Sequence, residues 1–187
     1  MSLTRTLILI LLALPSTTGC RAYKLKPPAG FAEVHAGDYG THMKGNDDVG
    51  LKVSVFDNVK GGTLAFWSTD LVDKLGARGY TLTGQAPAKS KNGVIGTRFD
   101  FQYVRPGAKS DTEARFYSAV LFVTDKHRIV VQLAGKADHY DRYAARVDEI
   151  AKATKTRGCR AWTDICDGPQ PELPAAPVEP DTALANK

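Results

Sequence analysis

Outside its first twenty residues the chain has no long apolar run, few cysteines and none of the short motifs that announce a reaction. Leu7 to Leu14 (LILILLAL) is the one strongly apolar stretch. Its eight residues fall far short of the roughly 20 a helix needs to cross a bilayer. There are three cysteines and no Cys-x-x-Cys, which argues against a thiol redox pair. Gly-x-Ser-x-Gly, the phosphate loop and Gly-x-Gly-x-x-Gly are absent. The net charge of +5 is spread without a basic run, which argues against nucleic acid as a partner. No internal repeat or heptad pattern is present. With 43% hydrophobic and 24% charged residues the chain is ordinary globular material, and its 187 residues suit one domain.

The apolar stretch is framed by Arg5 and by Ser16, Thr17, Thr18 and Gly19. That is the charged, apolar and small-residue order of a secretory signal peptide, over residues 1–19; the alternative is a buried N-terminal strand. Loss of Arg5 brings the net charge to about +4. Thr17-Thr18-Gly19-Cys20 resembles the lipobox of bacterial lipoproteins, with Thr17 where that motif usually has Leu. An ordinary signal peptidase site would also tolerate Thr17 and Gly19. The resemblance implies that Cys20 takes a diacylglycerol and becomes the mature N-terminus, so acyl chains anchor the protein to the membrane. Residues 20–27, with Lys24, Lys26 and the first of two prolines, read as a lipidated tether.

From Pro28 onward the pattern is that of a folded domain. Phe31 to His35 alternates as a short strand, and the glycine-rich stretch from Gly37 to Gly50 reads as turns. Leu51, Val53 and Val55 alternate with polar residues in a second strand. Thr63 is placed to cap a helix whose apolar stripe is Leu64, Trp67, Leu71, Val72 and Leu75, ended by Gly76. Phe66 falls on the other side of that helix and is a candidate contact residue; the alternative is a ring lying under a neighbouring loop. Tyr80 to Thr83 reads as a short strand and Gln85 to Gly93 as a polar loop. Ile95 to Val104 alternates cleanly, with Arg98, Asp100 and Gln102 on one side. These three, with Arg115, read either as a polar contact groove or as an ordinary wet sheet face. Arg115 to Thr124 is apolar on both alternating sets, the mark of a strand buried on both faces. A turn at Asp125-Lys126 leads to the strand Arg128 to Ala134. Asp138 is placed to cap a last helix carrying Tyr140, Tyr143, Ala144, Val147, Ile150 and Ala151.

Strands followed by helices predict an α+β domain over residues 28–156, an antiparallel sheet covered by helices. The chain resembles the PsbP-like fold in Pro28-Ala29-Gly30-Phe31, in the helix Leu64 to Leu75 after Gly61-Gly62, and in the run from Arg115 through Val131 to Ile150. That fold is shared by the extrinsic PsbP subunit of photosystem II, a small Ran-binding import factor and bacterial envelope lipoproteins of the DcrB type. The resemblance, from Pro28 to Lys155, implies an α/β/α sandwich whose relatives mostly bind or help assemble larger complexes, with no single activity.

Little in this domain offers chemistry. His35, Asp38 and His42 lie in the turn-rich stretch at a spacing that fits no familiar zinc pattern, and Asn46-Asp47-Asp48 lacks the alternating oxygens of a calcium loop. His127 and His139 read as solvated. Gly61-Gly62-Thr63 reads as a plain helix start rather than an anion site. In an exported chain Cys20 is taken by lipid, which leaves Cys159 and Cys166 to close a disulfide turn over residues 157–166. Residues 167–187 hold five prolines, no aromatic residue, and four acidic residues against one lysine, and are expected to be disordered. The sequence thus predicts no catalytic residue, metal or cofactor. It predicts an envelope lipoprotein on the periplasmic side, most simply at the outer membrane, that binds a protein partner and no nucleic acid. The alternatives are a small-ligand carrier with a pocket between sheet and helix, or an enzyme built around Arg98, Asp100 and His35.

Overall fold

In a computed structural model, residues 21–37, 39–58, 61–104 and 114–157 are described. In chain order the strands and helices are β1 (Tyr23–Lys24), β2 (Phe31–Gly37), β3 (Gly40–Gly45), β4 (Gly50–Asp57), α1 (Leu64–Gly76), β5 (Tyr80–Lys89), β6 (Ile95–Tyr103), β7 (Arg115–Val123), β8 (His127–Lys136), α2 (Tyr140–Ala153) and β9 (Lys155–Thr156). Single 3-10 turns fall at Asn46–Asp48 and Ala137–His139. Seven strands form one sheet in the order β2-β3-β4-β8-β7-β6-β5, every neighbouring pair antiparallel, and β1 pairs with β9 in a separate ribbon.

The expected two-faced strand is β7. Side chains alternate across a strand, and here both sets are buried. Phe116, Val120 and Phe122 pack with Tyr143, Val147, Ile150 and Ala151 of α2. Ala119 and Leu121 pack on the other face with Leu64 and Leu75 of α1 and with Phe99 and Phe101. The apolar stripe read for each helix is the stripe that packs.

Four readings are corrected. The glycine-rich stretch is not a series of turns, because β3 runs through it and sends Thr41 and Met43 into the core. Its glycines mark close approach: a Cβ on Gly40 would lie 2.2 Å from the Val53 carbonyl oxygen, and one on Gly45 would lie 2.8 Å from the Phe31 ring. The polar loop after Thr83 is the continuation of β5 to Lys89. Its side chains are mostly exposed because β5 is an edge strand, where Pro87 costs no ladder bond on the open side. Of the expected tether, Ala22 and Tyr23 are buried, and the Tyr23 hydroxyl donates to Thr41 Oγ1 at 2.5 Å. Asp138 does not cap α2. It sits in the preceding 3-10 turn, where Ala137 N–H donates to the Ala114 carbonyl, and the capping position falls to His139 without a side-chain bond.

Candidate functional site

α1 packs mainly over β5, β6 and β7 and reaches β8 only at its edge, through Val130 and Arg128, so the same face of the sheet is less covered over β4. The helix start fixes the boundary. Thr63 caps α1 as expected, its hydroxyl accepting from Phe66 N–H at 3.2 Å. Asn58, buried beside it, accepts from Gly62 N–H and from the Trp67 indole N–H, each at 2.9 Å. Its amide nitrogen donates to the Gly62 and Thr124 carbonyls at 3.0 Å. One side chain thereby ties the first turn of α1 to the β7–β8 connection and sets the angle of Trp67. Gly62 allows this: a Cβ there would lie 2.4 Å from the indole nitrogen.

So held, the Trp67 ring faces Arg128 of β8. The guanidinium carbon stands 3.8 Å from the Trp67 ring centroid and 5.4 Å from that of Phe56. Stacking of this kind contributes about 0.5–2 kcal/mol, more as water is excluded. Arg128 has no carboxylate partner among the described residues, and its buried Nε has no hydrogen-bond acceptor. Between α1 and the β4–β8 strands runs a groove of about 470 Å³. Leu71, Leu75, Leu121 and Val130 give it an apolar floor, and Phe56, Trp67 and Tyr117 give it aromatic walls. Lys52, Lys74, Arg78 and Arg128 line it with cations. Its one carboxylate, Asp70, is already held by Lys74 at 2.8 Å. Burial pushes the Tyr117 hydroxyl well above the ordinary tyrosine range, so it stays a neutral wall of the groove.

This lining suits a ligand with apolar surface and negative charge. It offers no nucleophile beside a base. Ser54 Oγ accepts from the Gln132 amide at 3.1 Å, and the described lining includes neither histidine nor cysteine.

Phe66, singled out from sequence, does not line this groove but packs against Trp67, which does. It is 59% exposed and packs edge-on to Trp67 at 4.8 Å, not under a loop. Arg98 and Asp100 do not belong to it, and neither expected reading of them holds: they are buried on the opposite sheet face, beneath α2. Arg98 Nε lies 3.0 Å from Asp100 Oδ2 and its NH2 3.1 Å from Oδ1, a bidentate pair. Its NH1 donates to the Ala144 carbonyl and to Asp148 Oδ2, both at 3.0 Å, and Ser118 donates to Asp100 at 2.5 Å. Burial pulls the Arg98 pKa down, but the bond and charge of Asp100, with help from Asp148, outweigh it and leave the pKa raised. The network clamps α2 to the sheet.

His35 and His42 are edge-to-face neighbours across β2 and β3 with ring centroids 6.1 Å apart. Among the described residues no three His, Cys, Asp or Glu side chains group to hold a metal. Cys20, Asp38, Cys159, Cys166 and residues 167–187 lie outside the described residues. The sequence reading missed Arg128, Phe56 and Lys52. A faint signal existed: Phe56 ends the wet set begun by Lys52 and Ser54, and Arg128 opens an otherwise apolar strand.

No family model matches the chain. No curated protein matches it either. Solved structures do. Cyanobacterial PsbP (CyanoP) from Synechocystis superposes with a TM-score of 0.52 at 14% identity, over 72% of this chain and 86% of that one. The Ran-binding protein Mog1p of Saccharomyces cerevisiae gives 0.50 at 11% identity, over 72% of this chain and 90% of the other. At these identities the likeness is one of fold: the chain carries a PsbP-like α+β domain, mostly antiparallel sheet with two helices.

Proposed function

We propose that this protein is a lipid-anchored module of the bacterial cell envelope that binds a protein partner through the α1 groove and carries out no chemistry of its own. The observation that carries the reading is Arg128, a cation stacked between Trp67 and Phe56 at the mouth of an apolar channel with no counter-charge among the described residues. Such a group, without a carboxylate partner among the described residues, suits one brought by a ligand, and aromatic and arginine anchors dominate binding surfaces. The anchor is the acylated Cys20. With Ala22 and Tyr23 already packed on the domain, little free chain separates lipid from fold, so the domain sits close to the bilayer.

Two measurements test this. Cys20→Ser should move the protein from the membrane to the soluble fraction; unchanged fractionation refutes the anchor. A photo-crosslinking residue at Phe66 should give a discrete adduct in intact cells that the same residue at Glu149, on the far helix, does not. Equal adducts from both positions, or none from Phe66, would refute the groove as the contact site.

A further inference from the structure

Strand pairing sorts the charges of β2, β3, β4 and β8 onto two faces, because residues directly opposite each other share a face. Val130 of β8 clusters with Leu64 and Leu75 of α1, so its face is the α1 face. On that face Ser54 lies beside Val130, Phe56 beside Arg128, and Lys52 beside Gln132. The Lys52 row continues through His42 of β3 to His35 of β2. Among the paired residues of these four strands no carboxylate shares the face. Glu33 pairs with the buried Met43 and Asp57 with His127, both on the α2 side. Lys44 is held by Asp48 at 3.0 Å, and Lys74 by Asp70 at 2.8 Å. Lys52 and Arg128, which both line the α1 groove, form no ion pair among the described residues.

We propose that the partner enters the groove as one extended acidic segment, with two carboxylate residues four positions apart and an apolar residue midway between them. The inference rests on the reading of that groove as a protein-binding site, and it names the ligand. Lys52 and Phe56 are four residues apart on β4, about 13 Å, and Arg128 lies beside Phe56. In an extended chain residues i, i+2 and i+4 point to one side and also span about 13 Å. Carboxylates at i and i+4 then meet the two cations. The side chain at i+2 falls over the Ser54–Val130 pair, midway along, on the apolar floor. A helix would hold i and i+4 only about 6 Å apart and miss one cation. An anion of single charge leaves one cation unpaired. The geometry also sorts other polyanions. Arg128 covers one face of the Trp67 ring at 3.8 Å and Asn58 takes the indole N–H, so the cation and not the indole meets the ligand. That argues against base stacking, the mode of single-stranded nucleic acid. A bilayer surface is flat and does not reach a floor recessed between helix and sheet, and a glycan lacks the apolar group that the floor calls for.

Titration of the nitrogen-15-labelled full chain with the end-blocked peptide Glu-Thr-Leu-Thr-Glu tests this by nuclear magnetic resonance. The Trp67 indole N–H, fixed on Asn58, reports from the groove wall. The expected result is a saturable shift of that signal and of the Lys52 and Val130 amides, with a Kd of about 1 mM or tighter. Peptides Gln-Thr-Leu-Thr-Gln, Glu-Thr-Ser-Thr-Glu and Glu-Thr-Glu-Thr-Leu, which remove in turn the charges, the apolar group and the spacing, should each bind about fivefold more weakly or worse. Lys52→Gln and Arg128→Gln should each weaken binding by a similar factor while the rest of the spectrum keeps its dispersion. Lys152→Gln, on α2, should leave binding unchanged. The inference is overturned if the signals do not saturate by about 5 mM peptide. It is equally overturned if the glutamine peptide binds as well as the glutamate one, or if Lys152→Gln matters as much as Lys52→Gln. Phosphatidylglycerol vesicles that shift these signals where the peptide does not would overturn it in favour of a lipid surface. The Phe66 crosslink in cells is read separately. Its survival with a failed peptide titration removes the acidic segment and keeps the groove as a protein contact, whereas its loss removes the groove itself.

Discussion

Removing the Arg98 guanidinium should unlock α2 from the sheet. Arg98→Met keeps the length of the side chain and most of its apolar stem. It leaves Asp100, a carboxylate whose side chain is 10% exposed, with the Ser118 and Tyr140 hydroxyls as its remaining partners, while the Ala144 carbonyl keeps its bond within α2. Breaking a buried pair by deleting one partner costs about 3–5 kcal/mol. The bond to Asp148 adds little, because that carboxylate is 47% exposed and water can replace the arginine. The lower end, about 3 kcal/mol, is therefore expected, equal to a fall in Tm of about 6–12 °C for a chain of this size. Urea unfolding followed by circular dichroism measures it, with an unchanged m-value showing that the same surface is exposed. A companion variant decides the cause. Arg98→Met with Asp100→Leu and Ser118→Ala removes the charges and hydroxyl together and should recover most of the loss, since apolar replacement of a whole buried pair is often neutral. If Arg98→Met alone costs under about 1 kcal/mol, the size of an exposed ion pair, water reaches the network and the clamp does not exist.

Three further outcomes follow from the same packing. Val120→Ala and Leu121→Ala, at positions 0% and 2% exposed on opposite faces of β7, should each cost about 2–4 kcal/mol in the same assay, and a cost under about 0.5 kcal/mol at either site would show an open face. Burial holds the Tyr117 proton above its ordinary value of about 10, so its stabilisation is complete below that pH and is lost as pH rises further; Tyr117→Phe should flatten the alkaline limb of a stability profile, and an unchanged limb refutes the assignment. Non-reducing peptide mapping of envelope protein should find Cys159 joined to Cys166 within one chain, and free alkylation of both would count against the disulfide and against export.

What the sequence disclosed depended on whether a residue's neighbours impose a period. β7 and the stripes of α1 and α2 were legible because burial forces apolar residues to recur at two or at three to four residues. β3 and most of β5 were not. In β3 the strands approach so closely at Gly40 and Gly45 that glycine, the residue of turns, is the one that fits. In β5 the edge position removes the pressure for apolar residues and tolerates Pro87, so a paired strand carries the composition of a loop.

Arg98 and Asp100 show a different blindness. Alternation separates two faces of a strand, but it does not say whether the polar face meets water or the polar side of a helix. The matching groups lay on α2, where the Tyr140 hydroxyl, the Ala144 carbonyl and the Asp148 carboxylate, spaced four residues apart, meet Arg98. Neither segment reveals the match alone, because an arginine whose donors all find acceptors is as stable under a helix as in solvent. The groove is harder still to read. Its existence depends on where α1 lies across the sheet, and the stripe of α1 states only that one side of the helix is buried. Asn58 decides the rest, by bonding Gly62, Trp67 and Thr124 at once and so holding the helix over β6 and β7, short of β4. The less covered part of the sheet thus goes with a single buried amide whose three partners lie up to 66 positions from it in the chain, a separation that no local pattern can encode.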